Sequence, residues 1–275
     1  MKYNKIEGIE DCYLMCLKDM LRKRSGIHAY TLLRSFKRIY PKNWIYYYLG
    51  LYYLEYGKVY CLMNGIYIEG RVSIKRARRC FLKIKKSFQN NSHVLAAIGE
   101  TYFKEKNYEK ALLFYTRAHQ SDHANCRYVW CIIESSYQLR RFNEILDVFE
   151  KEQGLLMMDS SLWFWANIVA VYSAIQENDF KIANEYLFRI SADIPSNIEN
   201  NDVAIISLIE LLCIVGDYST ARELFITYEQ DIPYIVTECR EQLSSKEHQP
   251  HFSKGMIEKL VMKFTPVNLV RHLDF

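Results

Sequence analysis

SHVLAAIGETYFKEKNYEKALLFYTRAHQSDHAN, residues 92–125, decides how the rest of the chain is read. At helical pitch Leu95, Ile98, Gly99 and Tyr102 fall on one face. After a break at Asn107 and Tyr108, the residues Ala111, Tyr115 and Ala118 fall on the face of a second helix. Gly99 and Ala111 carry almost no side chain at the level where two antiparallel helices must approach. Ile98, Tyr102, Tyr115 and Ala118 fill the space around that contact. The spacing predicts a helix-turn-helix pair.

The same spacing recurs on both sides at intervals near the ~34 residues of a helical-pair repeat. Toward the N-terminus, Tyr46, Leu49, Gly50 and Tyr53 repeat the first stripe. The matching second stripe, Ala77, Phe81 and Ile84, arrives late, which makes 58–72 an insertion or an extended first helix plus loop. A still earlier copy runs over 10–42, from Tyr13, Cys16, Leu17 and Met20 to Ala29, Leu33, Phe36 and Pro41. Toward the C-terminus, residues 126–159 form a degenerate copy with Val129, Ile132, Ile133, Ile145 and Phe149, its small residues lost. A fifth copy over 164–197 carries Ala170, Val171, Ala174, Ala183, Leu187 and Ile190; Ser160 and Ser161 are alternative caps for an earlier start. A sixth, over 202–235, carries Ile205, Leu208, Ile209, Leu212, Ala221, Phe225 and Tyr228, and its turn Gly216 to Ala221 parallels Lys106 to Ala111. Three copies place a Pro twelve residues after the Ala: Ala29/Pro41, Ala183/Pro195 and Ala221/Pro233. Pro cannot continue a helix, so it closes each one.

The pattern W-x2-L-G-x2-Y followed by A-x3-F-x2-A resembles the tetratricopeptide repeat (TPR) family, with Leu95 in place of the Trp, Tyr115 in place of the Phe and His123 where the last Pro usually falls. The resemblance covers roughly residues 10–235. It implies an all-α, right-handed superhelix of about six repeats, an array over 1–243, followed by 244–275 as linker and amphipathic helix. Met256, Leu260, Val261 and Phe264 give that helix its apolar stripe. It is read as a cap for the last repeat, with a docking segment for a partner as the alternative.

Composition narrows the class further. Half the residues are hydrophobic and a quarter charged, with 5 Pro and 10 Gly, which describes a globular chain of helices and short turns. No apolar run approaches the ~20 residues of a membrane span. The charged start, Met1 to Glu10, lacks a signal-peptide core. The expectation is a cytosolic or nuclear protein with no membrane association. The 8 Cys include no CxxC pair, so they read as small buried hydrophobes, without a disulfide framework or zinc site. His119, Asp122, His123 and Cys126 lie close in sequence, but at a helix end and turn where polar residues belong. No metal or cofactor is expected.

Catalytic signatures are missing: no glycine-rich phosphate loop, no H-E-x-x-H, no nucleophile elbow. The chain is therefore read as a non-enzyme. TPR arrays resemble one another in lining a concave groove with their first helices. Carried onto this chain, the groove positions are Trp44, Tyr47 and Leu51; His93, Ala96 and Glu100; Arg127, Trp130, Glu134 and Tyr137; and Trp165, Ile168 and Tyr172. Aromatic side chains there offer large contact area at low entropy cost; the alternative is that the rings fill the core between repeats. The Lys, Asn and Arg clamp of the chaperone-binding TPR subfamily is absent, since Ala96, Glu100, Trp130 and Glu134 occupy its places.

Charge is unevenly distributed. Residues 1–90 hold 19 Lys+Arg against 6 Asp+Glu, leaving 17 against 26 for the remainder. Lys75, Arg76, Arg78, Arg79, Lys83 and Lys86 form a basic patch at helical spacing, read either as a solvated face or as a nuclear-localisation, acidic-partner or nucleic-acid contact. The resulting expectation is a scaffold or adaptor holding a protein or peptide in the groove, as a homodimer or as one subunit of a larger assembly. More narrowly, the chain is similar in character to TPR subunits of the anaphase-promoting complex, a cell-cycle ubiquitin ligase, and more faintly to a TPR subunit of an RNA polymerase-associated complex. The alternative is nucleic-acid or ribonucleoprotein binding through the basic first third.

Overall fold

The computed structural model describes residues 30–35, 43–63, 66–71, 73–85, 91–192 and 202–228. They divide into two compact units, one ending at Asp122 and one beginning at His123. The expected first copy lies outside the described residues except for 30–35, which are helical and bury Tyr30 and Leu33. The closing prolines and the segment 244–275 lie outside them as well.

In the first unit, α1 (Asn43–Tyr56) pairs with α2 (Ile74–Lys85), and α3 (Ser92–Lys104) pairs with α4 (Tyr108–Ser121). The expected pairing rests on a real close approach. A Cβ placed on Gly99 would lie 2.9 Å from Cδ1 of Tyr115, and one on Gly50 would lie 2.5 Å from Cε1 of Phe81. Ala77, Phe81 and Ile84, like Ala111, Tyr115 and Ala118, are buried. The delayed second helix of the second copy therefore meets its first helix as the central copy does.

Between α1 and α2 the chain does not extend the first helix. Gly57, at φ 58°, follows the end of α1, and β1 (Lys58–Met63) pairs antiparallel with β2 (Ile66–Arg71) in register Lys58 to Arg71 and Met63 to Ile66. This two-stranded hairpin is the one departure from helix among the described elements.

In the second unit, α5 (Cys126–Gln138) packs on α6 (Phe142–Leu156), α7 (Ser160–Gln176) on α6 and α8 (Phe180–Ala192), and α9 (Asp202–Val215) on α8 and α10 (Tyr218–Tyr228). First helices also touch one another, α5 with α7 and α7 with α9. The fifth copy begins at Ser160, four residues before the expected Phe164, because Asp159 caps α7 by accepting from the backbone N–H groups of Ser161 and Leu162, both at 3.1 Å. Neither Ser160 nor Ser161 is the cap. In the degenerate copy Ile145 takes the place of the repeat Ala and is fully buried with Phe149.

Among the described residues one turn is used four times. Lys106, Arg140, Asn178 and Gly216 sit at φ 61°, 58°, 61° and 89° just past α3, α5, α7 and α9. The next residue donates its N–H five residues back, Asn107 to Tyr102, Arg141 to Ser136, Asp179 to Ala174 and Asp217 to Leu212, at 2.8–3.0 Å. That left-handed residue and long-range bond are the Schellman ending of a helix. Asn107, Asp179 and Asp217 then cap the following helix through their side chains, whereas Arg141 does not.

Candidate functional site

Among the described residues, the first helices of the two units carry most of the buried polarity. Glu100 and Thr101 on α3, Ser135 and Ser136 on α5, Asn167 and Ser173 on α7, and Ser207 and Glu210 on α9 are all buried. A buried polar atom costs about 1–3 kcal/mol when it lacks a partner. Three such atoms lie on α5 and α7: Nε1 of Trp130, Oγ of Ser136 and Oδ1 of Asn167 make no hydrogen bond in the structure. Asn167 does use its other amide atom, donating Nδ2 to the Trp163 carbonyl at 2.8 Å. Trp130 is only 2% exposed.

The residues expected to line an open groove are mostly interior. In the first unit Tyr47 packs with ring centroids 5.9 Å from Phe81, and Leu51 and Ala96 are buried. Trp44 lies in α1 and is described there by its backbone alone. Glu100 is buried, accepts from the Tyr115 hydroxyl at 2.9 Å and lies 3.7 Å from Lys104 Nζ. His93 is half-buried; burial holds its imidazole below the ordinary 6.5, and the field of Asp122 only partly offsets that. In the second unit Arg127 and Glu134 are half-buried, whereas Trp165 and Ile168 are interior. Tyr137 and Tyr172, from different repeats, come together at 5.7 Å and share Phe142 at 6.4 and 6.0 Å. These rings fill the space between repeats.

The basic stripe is only partly a solvated face. Ala77, Cys80, Phe81 and Ile84 bury one side of α2. Lys75 and Arg79 are exposed, and Arg76 and Lys83 lie 5.2 Å and 4.9 Å from the ring centres of Tyr53 and Tyr46. Arg78 turns inward. Its Nε donates to Thr101 Oγ1 at 2.9 Å, one terminal nitrogen donates to the Thr101 carbonyl at 3.1 Å and to Glu105, and the guanidinium lies 3.8 Å from the Tyr102 ring centre. This residue clasps α2 to α3. Lys86 lies outside the described residues.

Sequence reasoning missed a cleft of about 560 Å3 between α6 and α8, lined by Leu146, Asp147, Glu150, Ile182, Tyr186 and Arg189 among others. The Tyr186 hydroxyl donates to Glu150, and burial, with that carboxylate adding to it, pushes the phenol above its ordinary range. No spacing in the sequence announces this pair, which is 36 residues apart. Among the described residues no group of three or more His, Cys, Asp or Glu is placed to hold a metal ion, and no helix is long and apolar enough to cross a membrane.

No family model and no curated protein sequence matches this chain. Solved structures do. PilF of Pseudomonas aeruginosa superposes with a TM-score of 0.62 at 18% identity, covering 87% of this chain and 99% of PilF. The fold is TPR-like. YrrB, described as a TPR protein with an unusual peptide-binding site, matches 70% of this chain and 95% of its own at 17% identity and a TM-score of 0.45. At these identities the likeness concerns the TPR-like fold alone.

Proposed function

We propose that this chain is a non-catalytic scaffold that holds a protein partner on the first helices of its second unit. The observation that carries the reading is the TPR-like fold, in which the first helices α5, α7 and α9 pack on one another in succession. Arg127 and Glu134, half-buried on α5, add a charge of each sign for orientation. Membership of the anaphase-promoting complex finds no support in these structural likenesses and forms no part of the proposal. Nucleic-acid binding through α2 is disfavoured, because Arg78 is consumed by Thr101 and Glu105, and Arg76 and Lys83 lie over rings.

The test is affinity capture from extract with the intact chain and with Glu134→Lys, which reverses a charge on α5, at low and high salt. The proposal expects a protein partner that survives high salt and is depleted about 10-fold or more by the substitution, with the melting temperature unchanged or raised. Equal capture by both chains, or capture of nucleic acid that vanishes in salt, overturns it.

A further inference from the structure

The outer helices of the second unit expose apolar side chains at matching positions of successive repeats. Phe180 and Phe188 on α8 are 45% and 75% exposed, and Tyr218 and Ile226 on α10 are 40% and 60% exposed. Each of the latter stands 38 residues after its counterpart. Both helices bury the opposite side, α8 through Ala183, Tyr186, Leu187 and Ile190 and α10 through Ala221 and Phe225. Phe188 and Ile226 therefore point away from the core, each five residues after its repeat Ala.

We infer that this face is where a second copy of the chain docks, with α8 of one copy against α10 of the other about a two-fold axis. The exposed area fits a second copy. At about 200 Å2 for each fully exposed large side chain, the four exposures leave roughly 450 Å2 of apolar surface per copy. Two copies bring together about 900 Å2, and at the ~65% apolar content of homodimer interfaces the full contact reaches about 1,400 Å2, inside the roughly 1,200–2,000 Å2 of specific complexes. The patch also matches itself. A two-fold axis sets Phe188 against Ile226 of the second copy and repeats that contact by symmetry. Exposed Asn184 and Arg222, between the apolar pairs, then face each other as acceptor and donor. This dimer face goes beyond the partner surface proposed above and uses none of its residues.

The test is sedimentation equilibrium of the full chain under reducing conditions, for wild type, for Phe188→Asp with Ile226→Asp, and for Leu113→Asp, an exposed apolar site on α4 in the other unit. The wild-type mass should climb from 32.7 kDa toward twice that value with concentration. The double variant should stay monomeric with an unchanged circular-dichroism spectrum, and Leu113→Asp should dimerise as wild type does. If the double variant unfolds, Phe188→Ser alone serves and should raise the dimer Kd about 10-fold or more. A monomeric wild type up to about millimolar concentration overturns the inference, as does a dimer indifferent to Phe188 or one lost equally in Leu113→Asp.

Discussion

Gly50 and Phe81 meet across the pairing of α1 and α2, with no room for a Cβ between them. The hairpin that separates them in sequence leaves that contact intact, so the contact, and not the spacing, defines the second repeat. An Ala for Gly exchange in an exposed helix gains about 1 kcal/mol from propensity, whereas overpacking a filled core costs about 1–3 kcal/mol. With the ring 2.5 Å away, packing wins. Gly50→Ala should lower the unfolding free energy by about 1–2 kcal/mol in urea titrations. Phe81→Leu in the same chain should recover part of it, and additive losses would sink the account.

The turns after α3 and α5 hold Lys106 and Arg140 at positive φ. A side-chain-bearing residue there costs about 1–2 kcal/mol, and Gly216 shows the chain using the cheaper solution at the equivalent place in the sixth repeat. Lys106→Gly should stabilise the protein by about 0.5–1 kcal/mol, after allowing for the entropy glycine adds to the unfolded chain. A fall in melting temperature would contradict the assigned turn.

Arg78 predicts that charge alone does not hold α2 to α3. Lysine cannot reproduce a fork that binds Thr101 through two nitrogens while lying on the Tyr102 ring. Arg78→Lys should cost about 2 kcal/mol, and Arg79→Lys, one residue on and exposed, should cost nothing measurable. Equal small effects would mean that the clasp contributes little.

His93 gives the fold a dependence on pH. Burial lowers its folded pKa below 6.5, so between the folded value and 6.5 the unfolded chain binds more protons. Its contribution to stability is complete above 6.5 and is lost as pH falls through that window. Melting temperatures followed from pH 7.5 to 5 should decline, and His93→Gln should flatten the decline. An unchanged slope would show that other groups carry it.

Much of this was legible because a few residues have one physical use. Gly50, Gly99, Ala77, Ala111, Ala183 and Ala221 mark close helix approach, and each is found there or buried at its pairing face. The earlier start of α7 was legible through Ser160 and Ser161 as alternative caps, but Asp159, one residue before them, is the acceptor that caps the helix. The hairpin was missed although Asn64-Gly65 between two apolar runs is a two-residue turn signal; the repeat frame made those residues look like loop. The proposed partner surface was legible only in its location. Sequence period assigns Trp130, Tyr137, Trp165 and Tyr172 to the first helices but cannot tell a ring facing a ligand from one filling the space between repeats. The unmet groups on Trp130 and Asn167 emerge only once burial and hydrogen bonds are known.

The indole N–H of Trp130 offers the most direct measurement. With tryptophan labelled by 15N, the chain gives four indole signals in a heteronuclear correlation spectrum, and Trp130→Phe identifies the one of interest. The account predicts that this signal, on α5 between Arg127 and Glu134, shifts when the captured partner is added, while Trp163, which stacks on Phe149, stays in place. A Trp130 signal that is unmoved in the saturated complex would contradict a partner held on the first helices.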